Sequence, residues 1–169
     1  MSSDSVEEYL EAIYSFNEKG KLAKNSELAK KLKVAPPSVT QMVKKLAEEG
    51  LVDYKPYKGT SLTGRGMALA QRVVRKHRLL ERFLHDILGM NKEKVHDEAC
   101  RMEHSLSDQA ALALCKTLEN PETCPDDLKT LPPCPLDVET CEKCVAARPE
   151  GTLSLLTELS NLKPGERGK

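Results

Sequence analysis

The sequence predicts a mainly α-helical fold, and three observations carry that prediction. Apolar residues recur at three- and four-residue spacing over most of the chain up to Leu118. Aromatic residues make up 4% and Trp is absent, so aliphatic side chains must build the core, a supply that suits packed helices. Two short β-prone runs are the interruption, and they flank a Pro- and Gly-containing loop. At 169 residues the chain can form one domain of ordinary size or two small ones without cross-links.

Ser5 is expected to cap the first helix, which runs to Glu18 with apolar residues at Val6, Tyr9, Leu10, Ile13, Tyr14 and Phe16, mostly at helical spacing. Asn25 or Ser26 caps a short second helix through Leu28, Ala29 and Leu32. After the turn Lys33-Val34-Ala35, Pro36-Pro37 opens a third, where the missing Pro donor is not needed. Val39, Met42, Val43 and Leu46 form its apolar stripe, and Gly50 stops it. The runs Leu51–Tyr54 and Thr60–Thr63 then bracket Lys55-Pro56-Tyr57-Lys58-Gly59 as a hairpin. A short helix, a tight turn, a second helix and a basic hairpin in this order describe a winged helix-turn-helix, expected over residues 1–70.

Thr63 caps a long helix expected from Gly64 to Leu88, ended by Gly89. Another is expected over Lys92–Glu103, and Ser107 caps one with Ala110, Ala111, Leu114, Cys115 and Leu118 inward. These helices make a second domain over residues 71–120. Six of the ten prolines then fall between 121 and 149, which marks 121–150 as a Cys/Pro-rich segment, followed over 151–169 by a short helix around 152–162 and a tail.

The formal net charge of zero conceals a segregation along the chain. Residues 1–20 carry five acids against one Lys, residues 21–79 fourteen bases against four acids, and the remainder eleven bases against seventeen acids. The basic middle coincides with the helix-turn-helix and is the electrostatic footprint of a surface that meets phosphates; a solvated Lys-rich face gives the same count, so charge alone does not decide. On the third helix Gln41 has the amide geometry to read a base edge, and Pro37 suits a thymine methyl. Ser38 and Thr40 suit phosphate or water-mediated contacts, while Lys24, Lys44, Lys55 and Lys58 supply positioning charge. The expected partner is double-stranded DNA. No apolar run approaches a membrane span, and the acidic opening lacks the basic and apolar regions of a signal peptide, so a cytoplasmic protein is expected.

Metal-binding chemistry is suggested by donors in helical register. His77 and Glu81 stand four apart on the long helix, and His96, Cys100, Glu103 and His104 share a face of the next. Two antiparallel helices joined through Gly89-Met90-Asn91 bring these faces together. Any one of these residues alone reads as well as a surface pair or a small buried hydrophobe. Donors in register across two helices outweigh that. His85, one turn beyond Glu81, is expected outside the site, on a packing or dimer face.

At this point the sequence resembles the diphtheria toxin repressor family of metal-dependent transcriptional regulators, with its iron and manganese branches. The residues carrying the resemblance are PPSVTQMVKKLAEEGLV at 36–52, RKHRLLERFLHDILG at 75–89 and VHDEACRMEHSLSD at 95–108, and it extends over about residues 5–118. It implies a homodimer that binds a palindromic operator, a second domain that dimerises and binds metal, and no catalytic activity. It places His77, Glu81 and His96 at the ancillary site of the iron branch and Cys100, Glu103 and His104 at its primary site. Where the iron branch has Met on the first helix, this chain has Glu8, with Glu11 a turn later, which is similar to the manganese branch. Thiolate at Cys100 favours borderline ions and carboxylates suit harder ones; Fe²⁺ satisfies both, with Mn²⁺ the alternative. The chain is expected to be a short form without the small C-terminal barrel domain.

Cys124, Cys134, Cys141 and Cys144 are spaced C-x9-C-x6-C-x2-C, a pattern that can hold Zn²⁺ or an iron–sulfur cluster or leave the thiols unligated. Two other classes fit less well. A DNA-binding protein with purely structural zinc shows no graded metal response, and a metal or CxxC redox enzyme lacks here a phosphate loop, a metalloprotease helix and a thioredoxin-like βαβ context.

Overall fold

The computed structural model describes residues 3–125 and 128–134. Among the described residues, six α-helices and one hairpin follow in the order α1 (Ser3–Asn17), α2 (Asn25–Leu32), α3 (Pro36–Glu48), β1 (Val52–Lys55), β2 (Gly59–Leu62), α4 (Gly64–Arg82), α5 (Lys92–Met102) and α6 (Asp108–Thr117). The fold is mainly α, as the apolar spacing predicts.

Four local details differ from the sequence expectation. α1 begins at Ser3, so Ser5 lies within its first turn rather than capping it. α2 is capped by Lys24 rather than Asn25 or Ser26, because the Glu27 carboxylate turns back to accept from the Lys24 N–H at 3.2 Å. The long helix is α-helical only to Arg82 and widens into a π-helical turn at Phe83–Ile87 before Gly89 closes it at φ 66°. α5 stops at Met102, and Glu103–Ser105 form a 3-10 turn, so Glu103 and His104 leave the face shared by His96 and Cys100. The helix expected at 152–162 lies outside the described residues.

Two cores organise the chain. Leu10 and Ile13 of α1, Leu28 of α2, Val39, Val43 and Leu46 of α3, and Leu51, Val52 and Leu62 of the wing close around Ala70 and Val74 of α4. Leu80 and Leu84 pack with Val95 and Ala99 of α5 in the second. α4 therefore belongs to both, and its 19 residues are the rod that relates them. β1 and β2 pair antiparallel in the register Val52↔Leu62 to Lys55↔Gly59. Asn17, just where α1 ends, accepts from the Leu62 N–H at 2.8 Å and donates to the Lys21 carbonyl at 2.8 Å, clipping helix and wing together. Gly66 passes Leu51 so closely that a Cβ there would lie 1.9 Å from the Leu51 carbonyl oxygen.

Beyond α6 the chain folds back along α4. Thr123 and Thr130 form an antiparallel bridge, and three arginines one turn apart hold the segment by its carbonyls. Arg75 donates to Pro132 and Arg82 to Thr123, each at 2.6 Å, and Arg78 donates to Thr130. Among the described residues no helix is long and apolar enough to cross a membrane.

Candidate metal centre and nucleic-acid interface

His77 is the hub of the donor cluster. It is buried on α4, with Nδ1 lying 2.6 Å from Glu103 Oε2 and Nε2 lying 2.9 Å from Glu81 Oε1 and 3.1 Å from His96 Nδ1. His96 Nδ1 also meets Glu81 Oε1 at 3.1 Å. The Cys100 sulfur stands 3.9 Å from His77 Nδ1 and 3.8 Å from His96 Nε2. His104 reaches the other way, its Nδ1 lying 2.8 Å from Glu7 Oε2 and its Nε2 3.4 Å from Glu103 Oε1.

Two overlapping sets in this cluster have ligand atoms within 4.8 Å of one another: His77, His96 and Cys100, and Glu11, His77 and Glu103. Ligands on opposite sides of an ion with bonds of about 2.0–2.3 Å lie no more than about 4.6 Å apart, so either set fits a divalent ion after small adjustments. Imidazole, thiolate and carboxylate together suit first-row transition metals better than Mg²⁺ or Ca²⁺.

The charges of the metal-free cluster follow from the same contacts. Burial opposes a charge on His77, but hydrogen bonds to Cys100, Glu103 and Glu81 outweigh it and hold its pKa up at about 12. Hydrogen bonds to Cys100 and Glu81 lift His96 to about 10 against partial burial. Burial acts upward on Glu81, yet its hydrogen bonds to the two imidazoles bring it down to about 2. The Cys100 thiol is lowered by the same imidazoles despite its burial. Burial and the negative charge of Glu103 push the Glu11 carboxyl up. Protons therefore occupy the places a cation can take.

The structure gathers Glu11, His77, Glu81, His96, Cys100, Glu103 and His104, seven of the eight donors expected from the sequence. Glu8 is the exception: its side chain is exposed, and the α1 carboxylate that meets His104 belongs to Glu7, one position earlier. Sequence reasoning missed Glu7 because the run Glu7-Glu8 offers two carboxylates on adjacent helix positions, about 100° apart, and periodicity does not say which one faces a distant partner. His85 stands apart from the cluster, its Nδ1 3.0 Å from the Met90 carbonyl.

A cleft of about 100 Å³ opens beside the cluster, lined by Glu11, His77, Glu81, His96, Cys124 and Lys129 among others. Cys124 is buried there, in the segment held by the arginines. Cys134 lines a different cavity with Cys115, whose sulfur lies 3.0 Å from Arg75 Nη2. Cys141 and Cys144 lie outside the described residues.

α3 presents Pro37, Ser38, Gln41 and Lys44 to solvent, and Lys24, Lys55 and Lys58 are exposed as well. Thr40 is half-buried and its hydroxyl is already engaged: it donates to the Pro36 carbonyl at 3.2 Å and accepts from Asn25 Nδ2 at 3.0 Å, tying α2 to α3.

Residues 1–60 match the family described as iron dependent repressor, N-terminal DNA binding domain, and residues 63–132 match iron dependent repressor, metal binding and dimerisation domain. This chain belongs to the iron-dependent repressor family. The diphtheria toxin repressor of Corynebacterium efficiens is 42% identical over 117 residues, covering 69% of this chain and 51% of that one. An uncharacterised helix-turn-helix transcriptional regulator of Methanocaldococcus jannaschii is 44% identical over 108 residues, 63% of this chain and 86% of that one. The solved structure of the manganese regulator SloR aligns with a TM-score of 0.67 at 39% identity, covering 76% of this chain and 60% of that one. The chain thus spans about half the length of the diphtheria toxin repressor it matches. Within the iron-dependent repressor family, α1 to β2 fall in the DNA-binding part and α4 to α6, with the segment returning along α4, in the metal-binding and dimerisation part.

Proposed function

We propose that this protein is a cytoplasmic metal-dependent transcriptional repressor that binds a palindromic operator in double-stranded DNA as a homodimer when loaded with Fe²⁺, or alternatively Mn²⁺, and so controls metal homeostasis genes. The observation that carries this reading is the reach of α1 into the donor cluster, through Glu7 to His104 and through Glu11 beside His77 and Glu103.

Leu10 and Ile13, on the same helix as those carboxylates, are fully buried in the core that also seats α3. Fixing α1 against α4 and α5 therefore fixes the helix that carries Gln41. Without a cation, Glu11 and Glu103 repel, and His77 and His96 hold protons in place of a ligand bond. A divalent cation supplies the positive charge that lets these carboxylates stand ionised together. Cys100, His77 and His96 hold one side of the site and Glu11 and Glu103 the other, so the arrangement of the two cores that binds the ion best is the one selected. The exposed apolar side chains of Ile87, Leu88 and Met102, at the ends of the helices that build the second core, support a homodimer formed by that part of the chain.

Operator affinity measured with chelator and with increasing free Fe²⁺ or Mn²⁺ tests the reading. The expected result is a graded rise with ion concentration; equal affinity in both conditions sinks it. Saturation that survives prolonged chelation points to a structural zinc site instead.

A further inference from the structure

We propose that Tyr57, at the tip of the wing, contacts DNA through its ring, packing against the deoxyribose backbone of the minor groove next to the major groove entered by α3. This rests on the DNA-binding reading above and assigns to the wing an anchor that the lysines alone do not provide.

Two features set this position apart from the other aromatic residues. The chain has four Tyr, two Phe and no Trp. Tyr9 and Tyr14 are buried and Tyr54 packs against the first core, whereas Tyr57 is as exposed as an isolated side chain, at 104%. Its backbone is also unusual. The Lys58 N–H donates to the Lys55 carbonyl at 3.0 Å, which makes Pro56 and Tyr57 the two central residues of the turn, and Tyr57 sits at φ 65°. Pro followed by a residue at positive φ is the pattern of a type II turn, whose second central position favours Gly or Asn because a bulky Cβ is strained there. A large apolar ring in full contact with water, on a backbone that would relax with Gly, contributes nothing to the fold that holds it. Lys33, Glu119, Asn120 and Leu128 also have positive φ, so the angle alone does not single out Tyr57; a fully exposed aromatic ring on such a backbone, at the wall of the groove beside α3, does.

The arm bearing the ring is fixed at its base. Ala23 and Thr60 exchange both backbone hydrogen bonds at 2.9 Å, adding a third strand segment to the hairpin. Gly59, at φ 130°, lies so close to Leu22 that a Cβ there would stand 2.9 Å from the Leu22 Cβ. The backbone that bears the ring is thus anchored at its base. Between the ring and α3 runs a groove of about 510 Å³ whose walls include Tyr57, Tyr54, Thr40 and the cations Lys24 and Lys44, with no carboxylate among its lining residues. A groove with ammonium groups on the α2–α3 side and aromatic rings on the wing side matches a strand that offers phosphates on one edge and sugars on the other.

The test uses the full chain loaded with Mn²⁺ and a duplex selected by the wild type from a random-sequence pool, with affinity read by fluorescence anisotropy across a salt series. Tyr57→Gly relieves the strained backbone, so its melting temperature is expected to equal or exceed that of wild type while its affinity falls about tenfold, the scale of one lost aromatic contact. Tyr57→Phe keeps the ring and is expected to bind within about threefold of wild type. Neither should change the salt dependence, whereas Lys44→Ala should lower its slope by about one phosphate. Tyr57→Gly binding as tightly as wild type overturns the proposal, as does a loss of binding explained wholly by loss of the dimer in size-exclusion chromatography. A wild type that selects no duplex from the pool sinks the DNA reading, and this inference with it.

Discussion

Glu7 Oε2 lies 2.8 Å from His104 Nδ1, a contact between residues 97 positions apart that joins the first helix of the DNA-binding part to the turn after α5. His104 is raised from its ordinary value because this contact, with the charges of Glu103 and Glu7, outweighs its burial. Glu11, a turn along the same helix, is instead pushed up by burial and by the negative charge of Glu103. One carboxylate of α1 is paired with His104, and the other faces a second carboxylate.

That division predicts the effect of removing either group. Glu11→Gln takes away the α1 donor but leaves His77, His96 and Cys100, so metal should still bind, with DNA affinity responding to it far less. Coupling between the two ligands of a regulator is typically about 5- to 150-fold. In this variant the ratio of DNA affinities with and without Mn²⁺, measured by anisotropy, should fall towards one.

Metal binding should depend steeply on pH. With His77 held up at about 12 and His96 at about 10, both are protonated at neutral pH, and a cation must displace those protons. Apparent affinity should rise with pH by up to about one decade per unit for each proton released. Calorimetry in buffers of different ionisation enthalpy counts them directly. Stability of the metal-free protein runs the other way. The raised imidazoles contribute in full below about 6.5 and lose their contribution as pH rises towards the raised values; Glu81, lowered to about 2, contributes above about 4.5 and loses its part as pH falls. Thermal melts in chelator should therefore show this cluster's contribution greatest between about pH 4.5 and 6.5.

Cys100 offers a soft donor to the proposed site, and its exchange for a hard one should shift metal choice. Cys100→Glu places a carboxylate within reach of His77 and His96, so competition between Mn²⁺ and Zn²⁺ should move towards Mn²⁺ by roughly tenfold or more. An unchanged preference would remove Cys100 from the coordination sphere.

Asn17→Ala tests the clip between α1 and the wing. It leaves the part-buried Leu62 N–H without its 2.8 Å acceptor and frees the Lys21 carbonyl. The loss of an acceptor from a buried donor costs about 1–3 kcal/mol, which denaturant unfolding should register.

Most of the secondary structure was legible in the chain. The stripe Val39, Met42, Val43 and Leu46 is buried as its spacing requires, and Thr63, Ser107 and Gly89 mark the ends expected of them. The failures occur where a side chain answers to something distant in sequence or to a geometry finer than spacing. Lys24 rather than a polar neighbour caps α2, because the capping group was Glu27 reaching back. The tightening into a 3-10 turn after Met102 divides four donors that helical spacing puts on one face, sending Cys100 towards His96 and His104 towards α1. Tyr57 read only as part of a loop, because composition does not reveal a backbone angle.

The sequence by itself determined the order of helices, the position of the wing, the basic middle third and the types of donor available, since each depends on residues a few positions apart whose geometry the backbone repeat sets. Only the tertiary structure decided that Glu7 rather than Glu8 faces His104, that His77 stands between two donor sets, and that Cys124 comes to the wall of the same cleft. Those outcomes depend on how far each helix is rotated about its axis and where α4 crosses its neighbours. That is fixed by the close packing of Leu10, Ile13, Leu80 and Val95 and by arginines gripping carbonyls some forty to sixty residues away, none of which leaves a local trace in the chain.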